Sequence, residues 1–152
     1  MSRLAVLCSL LAAVSPSLAA TPDLRAEFLA LESKLMVAAM TKQADVQKDL
    51  VSPDFAWSMA LEGRPNEVMT QAEWLKGIEY YDLKEFEINH FTAQELGKIT
   101  VTHFRFTRSA TIGTGVDVSG ELVITDLWQK NGARWQLLRR FVSRAALPPG
   151  GK

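Results

Sequence analysis

The sequence predicts an α+β domain in which helices from the first half pack on one face of an antiparallel sheet. Apolar residues recur at helical spacing in the first half of the chain. From Leu83 onward the period changes to two, and turn signals separate the alternating segments. Connections of hairpin length argue against parallel crossovers, and segregated helices and strands are typical of the α+β class.

Three helices are predicted. The first begins at Thr21-Pro22-Asp23, where Thr21 can cap and Pro22 suits the first turn. Its apolar face consists of Leu24, Phe28, Leu31, Leu35 and Ala38. A short second helix is predicted from Gln43 to Leu50, and Ser52-Pro53 ends it. The third begins at the capping box Thr70-Gln71-Ala72-Glu73.

Five segments are predicted as strands. The first runs from Asp54 to Leu61 and is followed by a turn at Glu62 to Pro65. The other four form a meander: Leu83 to Gln94, Ile99 to Ile112, Val116 to Gln129 and Arg134 to Arg144. Turns are predicted at Glu95 to Lys98, at Gly113-Thr114-Gly115 and at Asn131-Gly132, the last being a strong hairpin signal.

Both faces of the predicted sheet carry apolar residues. Phe104 and Phe106 share one face of their strand, and Val101 lies on the other. The next strand repeats the pattern, with Ile124 opposite Val123. Because the helices can cover only one face, we expect a second subunit to cover the other. The sequence therefore predicts a homodimer through the sheet.

The first 20 residues are predicted to be a secretory signal. Met1-Ser2-Arg3 gives a positive start, and the apolar run from Leu4 to Val14 is too short to span a bilayer. Small residues from Ser17 to Ala20 suit a signal peptidase; the alternative is a buried N-terminal helix. The domain is then residues 21–146, followed by a disordered tail at 147–152, and its location is periplasmic or secreted.

Composition excludes several classes of partner. The chain has 17 basic and 17 acidic residues, so nucleic acid is not favoured. No later segment is suited to membrane insertion once the signal is removed. Cys8, the only cysteine, leaves with the signal, which removes disulfide and thiol chemistry. We expect no cofactor, since a glycine-rich phosphate loop is missing, and no metal, since no ligand set is complete.

The stretches "LVSPDFAWSMALEGRP", "MTQAEWLKGI" and "ITDLWQKNGARWQLLRRFVSRAA" resemble the SnoaL-like, nuclear-transport-factor-2-like superfamily. The closing segment is also similar to the association domain of calcium/calmodulin-dependent protein kinase II. The resemblance implies a cone-shaped roll, with a strongly curved sheet around helices and a central pocket. The superfamily includes ketosteroid isomerases, cyclases, dehydratases and epoxide hydrolases, together with proteins that only bind ligands or mediate assembly. The resemblance therefore predicts the fold and leaves the activity open.

Three polar residues on neighbouring strands are candidate catalytic groups. A two-residue turn at Thr114-Gly115 would place His103 opposite Asp126, with Arg105 diagonally within reach. The carboxylate would then orient the imidazole for proton transfer, and the guanidinium would stabilise an oxyanion. A structural polar cluster is the alternative, and a three-residue turn would give His103 another partner.

Four further residues are predicted to bind a ligand. Trp57 and Trp128 suit a mainly apolar pocket lining, and Tyr80 lies at the end of the third helix, near the expected pocket mouth. His90 shares a face with Phe86 and Ile88; a packing role is the alternative for each of these residues. The leading hypothesis is an exported domain that binds a small, partly apolar molecule. The alternatives are a cofactor-free isomerase, cyclase or dehydratase, and an assembly module without chemistry.

Overall fold

The computed structural model describes residues 23–60 and 67–145. The predicted signal at 1–20, the turn at 62–65 and the tail at 147–152 lie outside the described residues. The helices are α1 (Leu24–Met40), α2 (Ala44–Leu50) and α3 (Gln71–Tyr80). The strands are β1 (Val51–Ala60), β2 (Glu67–Thr70), β3 (Tyr81–Leu96), β4 (Ile99–Ile112), β5 (Val116–Asp117), β6 (Gly120–Asn131) and β7 (Arg134–Arg144). None of the helices in these ranges is long and apolar enough to cross a membrane.

The strands form one curved, unclosed sheet in the order β2-β1-β7-β6-β4-β3, with β5 paired to β4. The predicted α+β class, with helices packed on a curved sheet, is confirmed. One part of the prediction is wrong, because β1 pairs with β7 in parallel. A short connection forces two strands that follow each other in the chain to be antiparallel. It does not constrain β1 and β7, which are separated by most of the chain.

Helix starts follow local capping. The predicted capping box is confirmed, since the Thr70 side chain accepts from the Glu73 amide and the Glu73 carboxylate accepts from the Thr70 amide. For α1 the cap is Asp23, whose Oδ1 accepts a hydrogen bond of 3.0 Å from the Arg25 amide. The prediction of Thr21 as the cap is therefore wrong by two residues, and the Asp23 carboxylate supplies the acceptor.

The core lies between α1 and one face of the sheet, here called the inner face. Phe104 and Phe106 of β4 are fully buried there against Phe28 and Leu35 of α1. Burying each such side chain contributes roughly 1.5–3 kcal/mol. The predicted division of β4 and β6 into two faces is confirmed, since Val101 and Val123 stay half-buried on the outer face.

Two bulges interrupt β3, and the second changes which residues face inward. The register shifts between Asn89 and Thr92, and His90 adopts a left-handed φ of 51°. The bulge exposes His90 and turns Phe91 into the core. The predicted alternation that placed His90 on the face of Ile88 is therefore wrong.

The turn between β4 and β5 has three residues, Gly113-Thr114-Gly115, because Ile112 pairs with Val116. The same register continues into β6 and places Thr102 opposite Asp126. The predicted two-residue turn is therefore wrong. A slip of one residue moves a side chain to the other face of the sheet, so His103 and Asp126 face opposite sides.

Candidate functional site

A row of side chains crosses the middle of the inner face. Trp57 of β1 pairs with Arg140 of β7, which pairs with Asp126 of β6. Asp126 in turn pairs with Thr102 of β4, and Thr102 with Ala93 of β3. Residues that pair across strands point to the same face. The register therefore brings two ionisable groups from the last two strands together beneath α1.

Arg140 is the centre of a buried cluster with Asp126 and Glu32. Its Nε donates to Asp126 Oδ1 at 2.9 Å and to Oδ2 at 3.0 Å. Its Nη2 donates to Asp126 Oδ2 at 2.5 Å and to Glu32 Oε2 at 2.8 Å. Arg140 is only 2% exposed, and the two acids are fully buried. One guanidinium thus serves two carboxyl groups out of contact with water.

Glu32 comes from α1 and is held by two further donors. The Thr102 hydroxyl and the Trp128 indole each donate to its Oε1 at 2.9 Å. Trp128, predicted as pocket lining, is fully buried and packs edge-on against Phe28. Its polar atom therefore orients Glu32.

The cluster contains two acids and one base, and burial sets its protonation. Burial raises the pKa of Glu32 well above its usual range, the nearby Asp126 carboxyl raises it further, and Arg140 opposes both. Burial lowers the pKa of Arg140, but Asp126 and Glu32 outweigh that effect and raise it. Arg140 therefore stays charged, and burial favours the protonated form of Glu32.

Within the described residues, apolar side chains on the inner face are only partly covered at two places, on β1 next to this cluster and on β3. Trp57 and Met59 of β1 and Phe86 and Ile88 of β3 are only half-buried in the described structure, although the neighbouring β4 and β6 side chains are fully buried. The Trp74 ring of α3 lies 5.7 Å from the Arg140 guanidinium carbon. The cluster therefore borders an incompletely covered apolar surface.

Tyr81, at the end of α3, also faces this surface. Its hydroxyl accepts a hydrogen bond of 3.2 Å from Arg108 Nη1. Burial raises the pKa of Tyr81, while Arg108 and Arg140 both act to lower it, which places the phenol within the field of both guanidiniums. Lys42 fixes this end of α3, since its Nζ donates to the carbonyl oxygens of Ile78 and Tyr81. Tyr80, predicted at the pocket mouth, is 56% exposed.

The three predicted catalytic residues are not brought together. His103 is exposed on the outer face, where its Nδ1 lies 2.9 Å from the Thr125 hydroxyl. Arg105 is on the same face and forms a 2.8 Å ion pair with Glu121. Asp126 faces the interior, where Arg140 takes the place expected for His103. The predicted His103–Asp126 pairing is therefore wrong, for the reason of register given above.

Sequence reasoning missed Glu32 and Arg140. A signal for Glu32 was present, since it lies four residues after Phe28 and three before Leu35, within the apolar stripe of α1. The side-chain direction of Arg140 could not be predicted, because a register shift at Leu127 and Trp128 disturbs the pairing of β6 with β7. Its neighbour Arg139 is equally polar, so composition did not separate the two.

A cavity of about 260 Å³ lies elsewhere, where β1 begins beside the β6–β7 hairpin. It is lined by Ser52, Pro53, Asp54, Gln129, Lys130, Asn131 and Gln136, none of which belongs to the cluster. Within residues 23–60 and 67–145, no group of three His, Cys, Asp or Glu side chains could hold a metal ion.

No protein-family model matches the sequence, and no curated relative does. Solved structures are similar to it. An NTF2-like protein from Cytophaga hutchinsonii has a TM-score of 0.71 at 12% identity, covering 80% of this chain and 98% of its own. A candidate Ca/calmodulin-dependent kinase II association domain from Exiguobacterium sibiricum has 0.69 at 11%, covering 81% and 94%. A ketosteroid isomerase-like protein from Erwinia carotovora atroseptica has 0.62 at 17%, covering 84% and 100%. This chain therefore has the NTF2-like fold, as the resemblance in its sequence predicted.

Proposed function

We propose that this domain binds a small, partly apolar molecule on the uncovered part of its inner face. The observation that carries the proposal is the border between half-buried Trp57 and Met59 and the buried Arg140 cluster. Ligand sites in proteins are mainly apolar with a few convergent polar groups, and this surface combines both. Some members of the SnoaL-like, nuclear-transport-factor-2-like superfamily, which this sequence resembles, bind ligands, and this supports the same function.

A titration with 1-octanol followed by amide NMR tests this function. We expect shifts at Trp57, Met59 and Ile88, and at the Trp74 indole. Met59→Glu places a charge on this surface and should abolish the shifts. Ser58→Glu is the matched control, because Ser58 is adjacent in β1 and points to the opposite face. Shifts confined to the outer face, or their survival in Met59→Glu, would refute the proposal.

A second candidate function is cofactor-free proton transfer, which the raised pKa of Glu32 beside Asp126 favours. In the isomerisation of cyclohex-3-en-1-one, Asp126 would take a proton from C2 while Glu32 donates to the carbonyl oxygen. Asp126 would then deliver its proton to C4, and Glu32 would take its proton back from the oxygen. The double bond has then shifted without net consumption of protons. Absorbance of the conjugated ketone reports turnover. Activity that survives Glu32→Gln and Asp126→Asn would exclude this mechanism, and His103→Gln is the control.

The outer face supports a further proposal, that two copies pair through the sheet. Phe141 is 47% exposed there, and Val101, Val123 and Leu127 are half-buried around it. Light scattering at micromolar concentration should give twice the subunit mass, and Phe141→Lys should give the mass of one subunit.

We also propose export with cleavage near residue 20. Mass spectrometry of the protein recovered outside the cytoplasm should show a chain that begins near Thr21.

A further inference from the structure

Arg108 lies on the inner face near one end of β4, beyond Phe104 and Phe106. It is half-buried and pairs in register with Phe86 on one side and Gly120 on the other. Its Nε donates to the Val118 carbonyl at 2.9 Å, and its Nη1 to the Tyr81 hydroxyl at 3.2 Å. These bonds fix the guanidinium at the edge of the uncovered apolar surface.

The bonding partners of Arg108 differ from those of the arginines beside it. Arg105 is paired with Glu121, and Arg140 with two carboxyl groups. Within the described residues, no carboxylate lies within 4 Å of Arg108, and its Nη2 donates no hydrogen bond. Its fixed partners are a carbonyl and a phenol, both neutral. A half-buried charge without a counter-ion is costly, which favours binding of an anion.

The strand β6 places no side chain opposite Arg108. Gly120 is directly opposite Arg108 in the β4–β6 register, and a Cβ atom added to Gly120 would meet nothing within 4 Å. On the other side the half-buried Phe86 ring lies 5.9 Å from that of Phe106. Arg108 therefore has no side chain opposite it on β6, and it has the apolar Phe86 opposite it on β3.

We infer that Arg108 is an anion subsite for a ligand carboxylate, while the apolar part of the ligand lies along Phe86 and Ile88. This inference rests on the function proposed above and narrows its ligand to an amphipathic monoanion. The fork of a guanidinium matches a carboxylate, and Nη2 is free to donate. A phosphate dianion fits less well, because the second guanidinium nearby, Arg140, is already compensated by Asp126.

Calorimetric titrations with octanoate and with 1-octanol at pH 7.5 test the inference. Wild type should bind octanoate about tenfold more tightly than octanol, and the preference should weaken at high salt. Arg108→Gln should remove this preference. Arg108→Lys should keep part of it. Arg105→Gln is the matched control on the opposite face of the same strand and should behave as wild type.

Each remaining result counts against a stated claim. Equal binding of octanoate and octanol by wild type would overturn the anion subsite and leave the proposed function intact. A preference that survives in folded Arg108→Gln would do the same. If wild type binds neither compound, the proposed function fails and the subsite fails with it. Circular dichroism of each variant shows whether a loss of binding reflects unfolding, in which case the Arg108→Lys result decides.

Discussion

Replacing Arg140 with methionine removes the one cation of the buried cluster and keeps most of the side-chain volume. Four hydrogen-bonding contacts to Asp126 and Glu32 are lost, and both acids stay in an interior where they are fully buried. Removing one partner from a buried ion pair costs about 3–5 kcal/mol. We therefore expect the free energy of unfolding at pH 7 to fall by that amount, with Tm lower by roughly 10–20 °C.

An exposed ion pair in the same sheet supplies the control. Arg105 and Glu121 have side chains that are 47% and 36% exposed, so Arg105→Met should cost only about 0.2–1 kcal/mol. Urea unfolding of both variants at pH 7 gives the comparison. A deficit below 1 kcal/mol for Arg140→Met, or one equal to that of Arg105→Met, would refute the reasoning.

Three further predictions concern the same interior. The Thr100 hydroxyl is fully buried without a partner among the described residues, so Thr100→Val should raise the free energy of unfolding by about 1 kcal/mol. Thr102→Val breaks a hydrogen bond to Glu32 and should lower the free energy of unfolding by about 1 kcal/mol. Equal effects of the two variants in urea unfolding would contradict this reasoning. The pKa of Glu32 is raised above 4.5 in the folded state, so its contribution to stability is full below pH 4.5 and is lost as pH rises through the folded pKa. A series of Tm measurements from pH 4 to pH 8 should show this decline for wild type and not for Glu32→Gln. Thr70→Ala removes the cap of α3 and should cost about 1 kcal/mol in urea unfolding. Lys76→Ala, an exposed position of the same helix, is the control, and an equal loss in both variants would exclude the cap as the cause.

Local patterns predicted most of the elements. The alternation from Ile99 to Ile112 and from Arg134 to Arg144 gave both strands with their observed bounds, and the capping box gave the start of α3. Such signals depend on residues close together in the chain. The strand β2 at Glu67–Thr70 was not predicted, because four residues are too few to establish a period.

The site was harder to predict than the fold because it depends on register. One extra residue in the turn at Gly113 was enough to move His103 to the outer face, and one bulge was enough to expose His90. Arg140 meets Glu32 only because α1 lies across β7, a contact between residues 108 positions apart. No local pattern encodes such a meeting, although a glutamate within an apolar stripe indicates that a partner is needed.

The place of β7 in the sheet has a consequence for how the chain acquires its structure. Among the described strands β7 comes last along the chain, and it lies between β1 and β6, so it joins the β1–β2 pair to the β3–β6 meander. A ribosome-bound or truncated chain that lacks Arg134–Arg144 has two separate sheet fragments and no partner for Asp126. Closure of long loops also slows folding. The described sheet is therefore complete only after β7 has been synthesised, and a chain that stops before it leaves the edges of β1 and β6 unpaired.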